Sequence, residues 1–237
     1  MNTPFSTPAS SRATGAAFDA GLRAHMLGVY RNMGLGLIIT GIVAALIGNT
    51  PALYQPIFGT PLKYVAIFAP LAFIFFFTFR IEKMTDAGAR TAFYAFSAVM
   101  GVSLASIFVI FTGASIAQTF FIAASMFLGM SLWGYTTGRD LTKMGSFLMM
   151  GLIGIIVASV VNIFLGSPMI QMVVSIAGVA IFTGLTAWDT QRIKSDYAVY
   201  GGTEAAAKLQ VMGALSLYLN FVNLFQLLLG LFGEREE

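Results

Sequence analysis

Seven long apolar stretches constrain this chain more than any other feature of its sequence, because each can cross a bilayer as a helix. A membrane-spanning helix needs roughly 20 mostly apolar residues. Hydrophobic residues make up 57% of the chain, charged residues only 10%, and the mean hydropathy is +0.83. We therefore predict an all-α integral membrane fold, with spans at about residues 27–48, 62–79, 91–111, 116–135, 145–165, 169–188 and 206–231.

The segments between the apolar stretches are short, so we expect residues 24–237 to form a single transmembrane domain. Residues 1–23 are rich in Ser, Thr, Ala and Pro and lack the apolar core of a secretory signal peptide. We predict that they form a disordered cytoplasmic tail.

The basic residues are distributed very unequally between the two sides of a seven-span chain. Of the 13 Lys and Arg residues, all except Lys63 and Arg235 fall on the side that carries the N-terminus. Cytoplasmic loops of membrane proteins carry an excess of basic residues. We therefore predict a multi-pass plasma (inner) membrane protein whose N-terminus is cytoplasmic and whose C-terminus is outside.

The common classes of membrane-embedded enzyme lack essential residues in this chain. Cysteine is absent, and the one histidine, His25, lies before the first predicted span. A zinc protease therefore lacks ligands, and an intramembrane serine protease lacks its histidine base. An aspartyl protease needs two intramembrane aspartates, and only Asp189 is a candidate. We expect no enzymatic activity, no resident cofactor and no nucleic acid partner.

A few polar residues interrupt the predicted spans. An ionisable group at the edge of the hydrocarbon, such as Asp189, is costly and suggests a functional site. In the seventh span, Asn220, Asn223 and Gln226 are three residues apart and share one helix face. This polar stripe predicts that the seventh helix faces protein or water, either lining a pore or forming interhelical hydrogen bonds. Asn162 is the remaining polar residue of this group.

Two arginines are candidate partners for Asp189. Arg80 ends the second span on the predicted cytoplasmic side, where the sixth span ends at Asp189, so a salt bridge between adjacent spans is geometrically allowed. Arg192 follows Asp189 by three residues and is a rival on the same helix. A third alternative is that Asp189 and Arg80 reach the interface separately.

Small residues recur four apart within several spans. The pairs are Gly41 with Ala45, Gly101 with Ala105 and Gly154 with Ala158. This spacing lets helix backbones approach closely in lipid, so we interpret the pairs as helix-packing positions.

Three stretches together resemble the bacterial Bax inhibitor-1-like family, part of the transmembrane BAX inhibitor motif superfamily. The first is GYTTGRDL at residues 134–141, between the fourth and fifth spans. The second is WDTQ at residues 188–191, which is similar to the sixth-segment aspartate motif. The third, ALSLYLNFVNLF at residues 214–225, is similar to the last-helix motif. The resemblance extends from about Ala24 onward.

This resemblance implies six helices around a central seventh, and a pH-sensitive calcium leak in characterised members. In those members two aspartates, from the sixth and seventh helices, share the pore, and an arginine of the second helix latches the first. Asp189 matches the sixth-helix aspartate and Arg80 the latch, but Asn220 stands where the seventh-helix aspartate is expected. Two close carboxylates share a proton, whereas a carboxylate beside an amide does not.

Two functions therefore remain open from the sequence. The first is an ion-leak channel with Asp189, Arg80, Asn220 and Asn223 in the ion pathway. Asp189 would then be a weak, transient Ca²⁺ site. Because Asn220 replaces the second aspartate, we expect weaker conduction, or a different pH response, than in members that have both aspartates. The second is a non-conducting regulator embedded in the lipid bilayer that binds other membrane proteins, such as a membrane AAA protease.

Overall fold

The computed structural model describes residues 9–203 and 205–236, excluding the side chains of residues 9–16 and 82. Within this part, ten helical segments follow one another. They are α1 (Ala9–Gly48), α2 (Pro51–Phe58), α3 (Leu62–Arg80), a 3₁₀ turn (Ile81–Lys83), α4 (Asp86–Leu104), α5 (Ile107–Ile110), α6 (Gly113–Thr136), α7 (Thr142–Leu165), α8 (Pro168–Tyr200) and α9 (Ala205–Phe232).

Seven of these segments are long and apolar enough to cross a membrane, which confirms the predicted all-α architecture. The third span combines α4 with the short α5, and α2 forms the connection between the first two spans. Apart from one β-bridge between Phe111 and Arg235, the described residues contain no strand pairing.

Two helices continue well beyond their predicted ends. The disordered tail predicted for residues 1–23 is wrong for residues 9–23, which belong to α1, while residues 1–8 lie outside the described part. Alanine, frequent in this segment, is the best helix former. Similarly, α8 runs to Tyr200, although the sixth span was predicted to end at residue 188.

The two extensions pack against each other, which explains why both form. The Phe18 ring of α1 lies 5.7 Å from the Tyr197 ring of α8, and the His25 ring lies 5.0 Å from it. Leu22 and His25 of α1 are buried at this contact, and Tyr197 is partly buried. This burial gives the polar ends of α1 and α8 a packed interface beyond their apolar spans.

The last helix, α9, lies at the centre of the bundle and is the most buried of the seven spans. The six other spans surround it: α1, α4, α6 and α8 contact it, α3 packs mainly on α4, and α7 packs on α8. The fully buried Tyr218 ties α9 to α1, because its hydroxyl lies 2.6 Å from Thr40 Oγ1. The predicted central seventh helix is therefore confirmed.

Candidate functional site

Asp189 lies inside α8, on the side that faces the central helix, and only 4% of its surface is exposed. A carboxylate buried to this degree needs hydrogen bonds or a counter-ion to offset its lost hydration. Three side chains provide these contacts, one from α8 itself and two from α9.

The two α9 partners, Ser216 and Asn220, are one helical turn apart, so both point at the same place. Ser216 Oγ donates a hydrogen bond to Asp189 Oδ2 at 2.8 Å, and Asn220 Nδ2 donates to the same oxygen at 2.7 Å. Asn220 is itself 5% exposed. Both bonds cross between α8 and α9, so Asp189 joins the two most extensively packed helices of the bundle.

The counter-ion of Asp189 is Arg192, one turn later on α8. Arg192 Nη2 lies 2.7 Å from Asp189 Oδ1, an ion pair whose geometry is not that of a directed hydrogen bond. The same nitrogen donates to Ser216 Oγ at 3.2 Å, and the guanidinium lies 4.8 Å from the centre of the Trp188 ring. We call Asp189, Arg192, Ser216 and Asn220 the aspartate cluster.

The structure does not bring Arg80 to Asp189. Arg80 is exposed at the end of α3, and in the described part of the chain the ion pair of Asp189 is with Arg192. The Arg80 latch expected from the resemblance is therefore not formed in this structure. The reason is that α8 continues through Arg192, which places an arginine on the same helix face as Asp189.

The polar stripe of α9 divides into residues with different surroundings. Asn220 belongs to the aspartate cluster, but Asn223 is half-buried and donates to the Leu219 carbonyl of its own helix at 2.8 Å. Gln226 is exposed. Asn162 is also structural, because its side-chain oxygen accepts from Ser167 N at 3.0 Å at the end of α7. The stripe therefore does not form a continuous polar path.

A cavity of about 470 Å³ adjoins the aspartate cluster. Arg192 and Ser216 of the cluster line this cavity, and residues of α1 and α3 form its other walls. Thr78 of α3 borders it, two residues before Arg80. Its lining residues include two further ionisable side chains, His25 and Asp196. Water in this cavity would reach the Arg192 guanidinium, 42% of whose side chain is exposed, before it reaches Asp189.

The aspartate cluster offers few ligands to a divalent cation. Ca²⁺ takes six to eight oxygen ligands. Here one carboxylate is available, and its oxygens already face Arg192, Ser216 and Asn220. Among the described residues, no group of three or more His, Asp or Glu side chains is placed to hold a metal. This donor set is therefore smaller than the one that a bound Ca²⁺ ion takes.

The GYTTGRDL loop is attached to α8 next to the aspartate cluster. Gln191 Oε1 accepts from Leu141 N at 2.8 Å, and Gln191 Nε2 donates to the Arg139 carbonyl at 2.8 Å. At the end of α6, a Cβ on Gly134 would lie 2.2 Å from the Ala187 carbonyl, so only glycine allows this approach. The first two sequence motifs therefore form one contact.

This contact leads to a prediction for Gln191→Ala. Removing the side chain leaves the buried Leu141 amide without its partner, which costs about 1–3 kcal/mol locally. We expect amide hydrogen exchange of residues 137–142 to rise roughly tenfold or more, as measured by mass spectrometry in detergent micelles. Gln226→Ala, at an exposed position of α9, is the control. Unchanged exchange in Gln191→Ala would show that the loop is held by other contacts.

Comparison with known proteins agrees with this architecture. A family model described as "Inhibitor of apoptosis-promoting Bax1" matches residues 22–237. An uncharacterized protein of Rickettsia prowazekii is 44% identical over 220 residues, covering 93% of each chain. The inner membrane protein YbhL of Escherichia coli K12 is 42% identical over 219 residues, covering 91% of this chain and 94% of YbhL.

A more distant relative is an uncharacterized membrane protein of Streptococcus pyogenes, which is 33% identical over 92% of this chain and 96% of its own length. The family match covers six spans completely, the first span from residue 22 onward, and the aspartate cluster, so the sequence resemblance is confirmed. This multi-span chain belongs to the Bax inhibitor-1 family of membrane proteins.

Proposed function

We propose that this protein is a cation leak, with Ca²⁺ as cargo, and that the aspartate cluster is its closed gate. The observation that carries the proposal is the one buried carboxylate among the described side chains, which lies between α8 and the central α9 next to a cavity that contains polar side chains. A buried ionisable residue inside a membrane bundle is expensive to keep, which favours a role in ion movement.

Arg192 is the residue that holds this gate shut. Its guanidinium occupies the side of Asp189 that faces the cavity, so it competes with any cation for the carboxylate. Release of Arg192 toward the cavity would expose one negative charge. The same step would loosen the bonds from Ser216 and Asn220 that join α8 to α9.

The pH response of this gate differs from that of a two-carboxylate pore. Asn220 donates to Asp189 and carries no charge, so the two side chains cannot share a proton. We propose that the protein conducts weakly and has only a shallow pH response. The protein would lie in the inner membrane with its basic side, and the cavity, facing the cytoplasm.

One experiment tests whether Asp189 serves as the cation site. Purified protein is reconstituted in liposomes that contain a Ca²⁺-sensitive dye, and influx is compared between wild type and Asp189→Asn. We expect the variant to lose influx by roughly tenfold or more, because the only carboxylate of the cluster becomes a neutral amide. Asp86→Asn, at an exposed position in the first turn of α4, is the matched control and should conduct like wild type.

A second candidate function is a non-conducting regulator that binds other membrane proteins, such as a membrane AAA protease. One observation favours it: beyond Asn220, the Asn223 side chain bonds to its own helix and the buried residues of α9 are apolar, so among the described residues α9 offers no continuous polar path across the bundle. Wild-type protein that passes no Ca²⁺, together with co-purification of a membrane protease that is lost in Asp189→Asn, would favour this function over the leak.

A further inference from the structure

A groove runs between α1 and α6 on the outside of the bundle, away from the aspartate cluster. Near the N-terminal end of α1 it opens as a cavity of about 380 Å³, whose lining residues include Arg23, Leu27, Leu128, Leu132 and Tyr135. Further along the same two helices lies a larger cavity of about 660 Å³, with Phe221 and Phe225 of α9 among its lining residues. Both cavities are lined by α1 and α6, and we refer to them together as the α1–α6 groove.

Two of the α1 residues that line the larger cavity, Gly34 and Gly41, are glycines with open space in front of them. A Cβ added at Gly34 or Gly41 would meet no atom within 4 Å. By contrast, a Cβ at Gly101 would lie 2.7 Å from Val43, so that glycine does allow helices to approach. Helix packing is therefore confirmed for Gly101, but the same interpretation is wrong for Gly41, which faces open space. Gly154 is likewise open.

The length and lining of the groove suit an acyl chain. From Arg23 to Gly34 a helix rises ~16 Å, which is about half the ~30 Å hydrocarbon thickness of a bilayer. Leu27, Leu128 and Leu132 are exposed along its rim. An apolar groove of this length that opens to the hydrocarbon is filled by lipid tails rather than by water.

The end of the groove near Arg23 is positively charged. Arg23 is exposed, and within the described residues it forms no ion pair, even with Asp19 one turn earlier. Lys194 Nζ lies 5.2 Å from the centre of the Tyr135 ring and donates to the Tyr135 carbonyl at 3.1 Å. Arg139 and Lys194 line an adjoining cavity of about 380 Å³. Arg23 therefore lines the groove itself, while Lys194 reaches it through Tyr135 and Arg139 lines the next cavity with Lys194.

The acidic group that shares the adjoining cavity with Arg139 and Lys194 is already engaged. Asp140 lines the same adjoining cavity, and its Oδ1 accepts from the hydroxyl of Thr142 at 2.6 Å and from the Thr142 amide at 2.9 Å. The hydroxyl bond, and then the amide bond, hold the pKa of the Asp140 carboxyl below its ordinary value. Asp140 therefore stays charged at neutral pH, and its Oδ1 is bonded to Thr142, the first residue of α7.

We propose that the α1–α6 groove is a binding site for one anionic phospholipid of the leaflet at the N-terminal end of α1. The phosphate lies among Arg23, Arg139 and Lys194, and one acyl chain runs along α1 past Gly34 toward Gly41. The charged mouth selects the head group, because each nearby basic residue attracts an anionic lipid. The open space in front of Gly34 and Gly41 accommodates the acyl chain.

Native mass spectrometry of the detergent-purified protein tests this site with two probes of identical chains, phosphatidylglycerol and phosphatidylcholine. We expect one phosphatidylglycerol to be retained in preference to phosphatidylcholine. Arg23→Gln should reduce that preference about fivefold. Lys63→Gln removes an exposed cation beside Tyr64 at the other end of the bundle and should leave the preference unchanged.

The acyl-chain part of the site is tested by filling the groove. The double variant Gly34→Leu/Gly41→Leu should lose retention of both lipids by fivefold or more, and the leucines favour helix over glycine. Gly154→Leu, at an open position of α7, is the matched control. A thermal unfolding curve confirms that each variant is folded. Equal retention in wild type and the double variant would overturn the proposal, as would an equal loss in Gly154→Leu, which would indicate a non-specific lipid shell.

Discussion

Replacing Arg192 with glutamine is expected to raise Ca²⁺ influx through the reconstituted protein roughly fivefold. The guanidinium lies 2.7 Å from Asp189 Oδ1, so in the proposed gate it would compete with a cation for that carboxylate. Because 42% of the Arg192 side chain is exposed, its attraction is screened, and we take its contribution as about 1 kcal/mol, or roughly fivefold. The measurement is dye-reported influx in liposomes at matched protein density.

Two further variants separate the Arg192 contact from a general loss of positive charge. Arg192→Lys keeps the charge but not the planar guanidinium that also reaches Ser216, so an intermediate rise is expected. Lys143→Gln removes an exposed cation from the first turn of α7 and should leave influx unchanged. An equal rise in Lys143→Gln would mean that surface charge, rather than the ion pair with Asp189, controls entry.

Replacing Asn220 with aspartate is expected to create a steep pH response that the wild type lacks. Asn220 Nδ2 lies 2.7 Å from Asp189 Oδ2, so the variant places two carboxylates in direct contact. Such a pair holds one proton between them, because both cannot ionise easily at that distance. As pH rises and the shared proton leaves, the two charges repel each other and attract Ca²⁺, so influx should increase.

The expected size of this effect is a change of about tenfold in influx between roughly pH 6 and pH 8, against less than about twofold in wild type. Asn223→Asp is the matched control. It introduces the same group one turn away, where Asn223 contacts the Leu219 carbonyl and not Asp189. A wild type that already responds as steeply as Asn220→Asp would show that a different group senses pH.

The sequence predicted the bundle well because hydropathy reports directly on membrane crossing. Seven spans and the central position of the polar-striped helix are both present. Helix ends were predicted less well. The helical continuation of α8 to Tyr200 depends on packing of Tyr197 against α1, and the local apolar pattern contains no sign of that contact.

The absence of tertiary contacts from the local sequence pattern also explains which residues of the aspartate cluster were predicted correctly. Asp189 could be identified because a buried acid is unusual in an apolar chain. Arg192 was recognised only as a rival to Arg80, because its alignment with Asp189 requires α8 to continue beyond residue 188. The contribution of Ser216 was missed. Its position one turn before Asn220 on the same helix face was the available signal.

Glycine spacing shows a similar ambiguity. Gly41 and Gly101 occur in the same small-residue pattern, yet one faces open space and the other packs against Val43. A pattern within one helix describes the face it presents, but not whether a neighbouring helix covers that face. The neighbour is a property of the tertiary fold, so only the structure separates the groove from the packed interface.

The most direct test of the gate is Ca²⁺ influx through the double variant Asp189→Asn/Arg192→Gln, compared with both single variants. If Arg192 lowers influx by pairing with the Asp189 carboxylate, then removing Arg192 should not change influx once that carboxylate has been replaced by an amide. We therefore predict that the double variant conducts as poorly as Asp189→Asn alone. Influx in the double variant as high as in Arg192→Gln would contradict the proposal that Asp189 is the cation site.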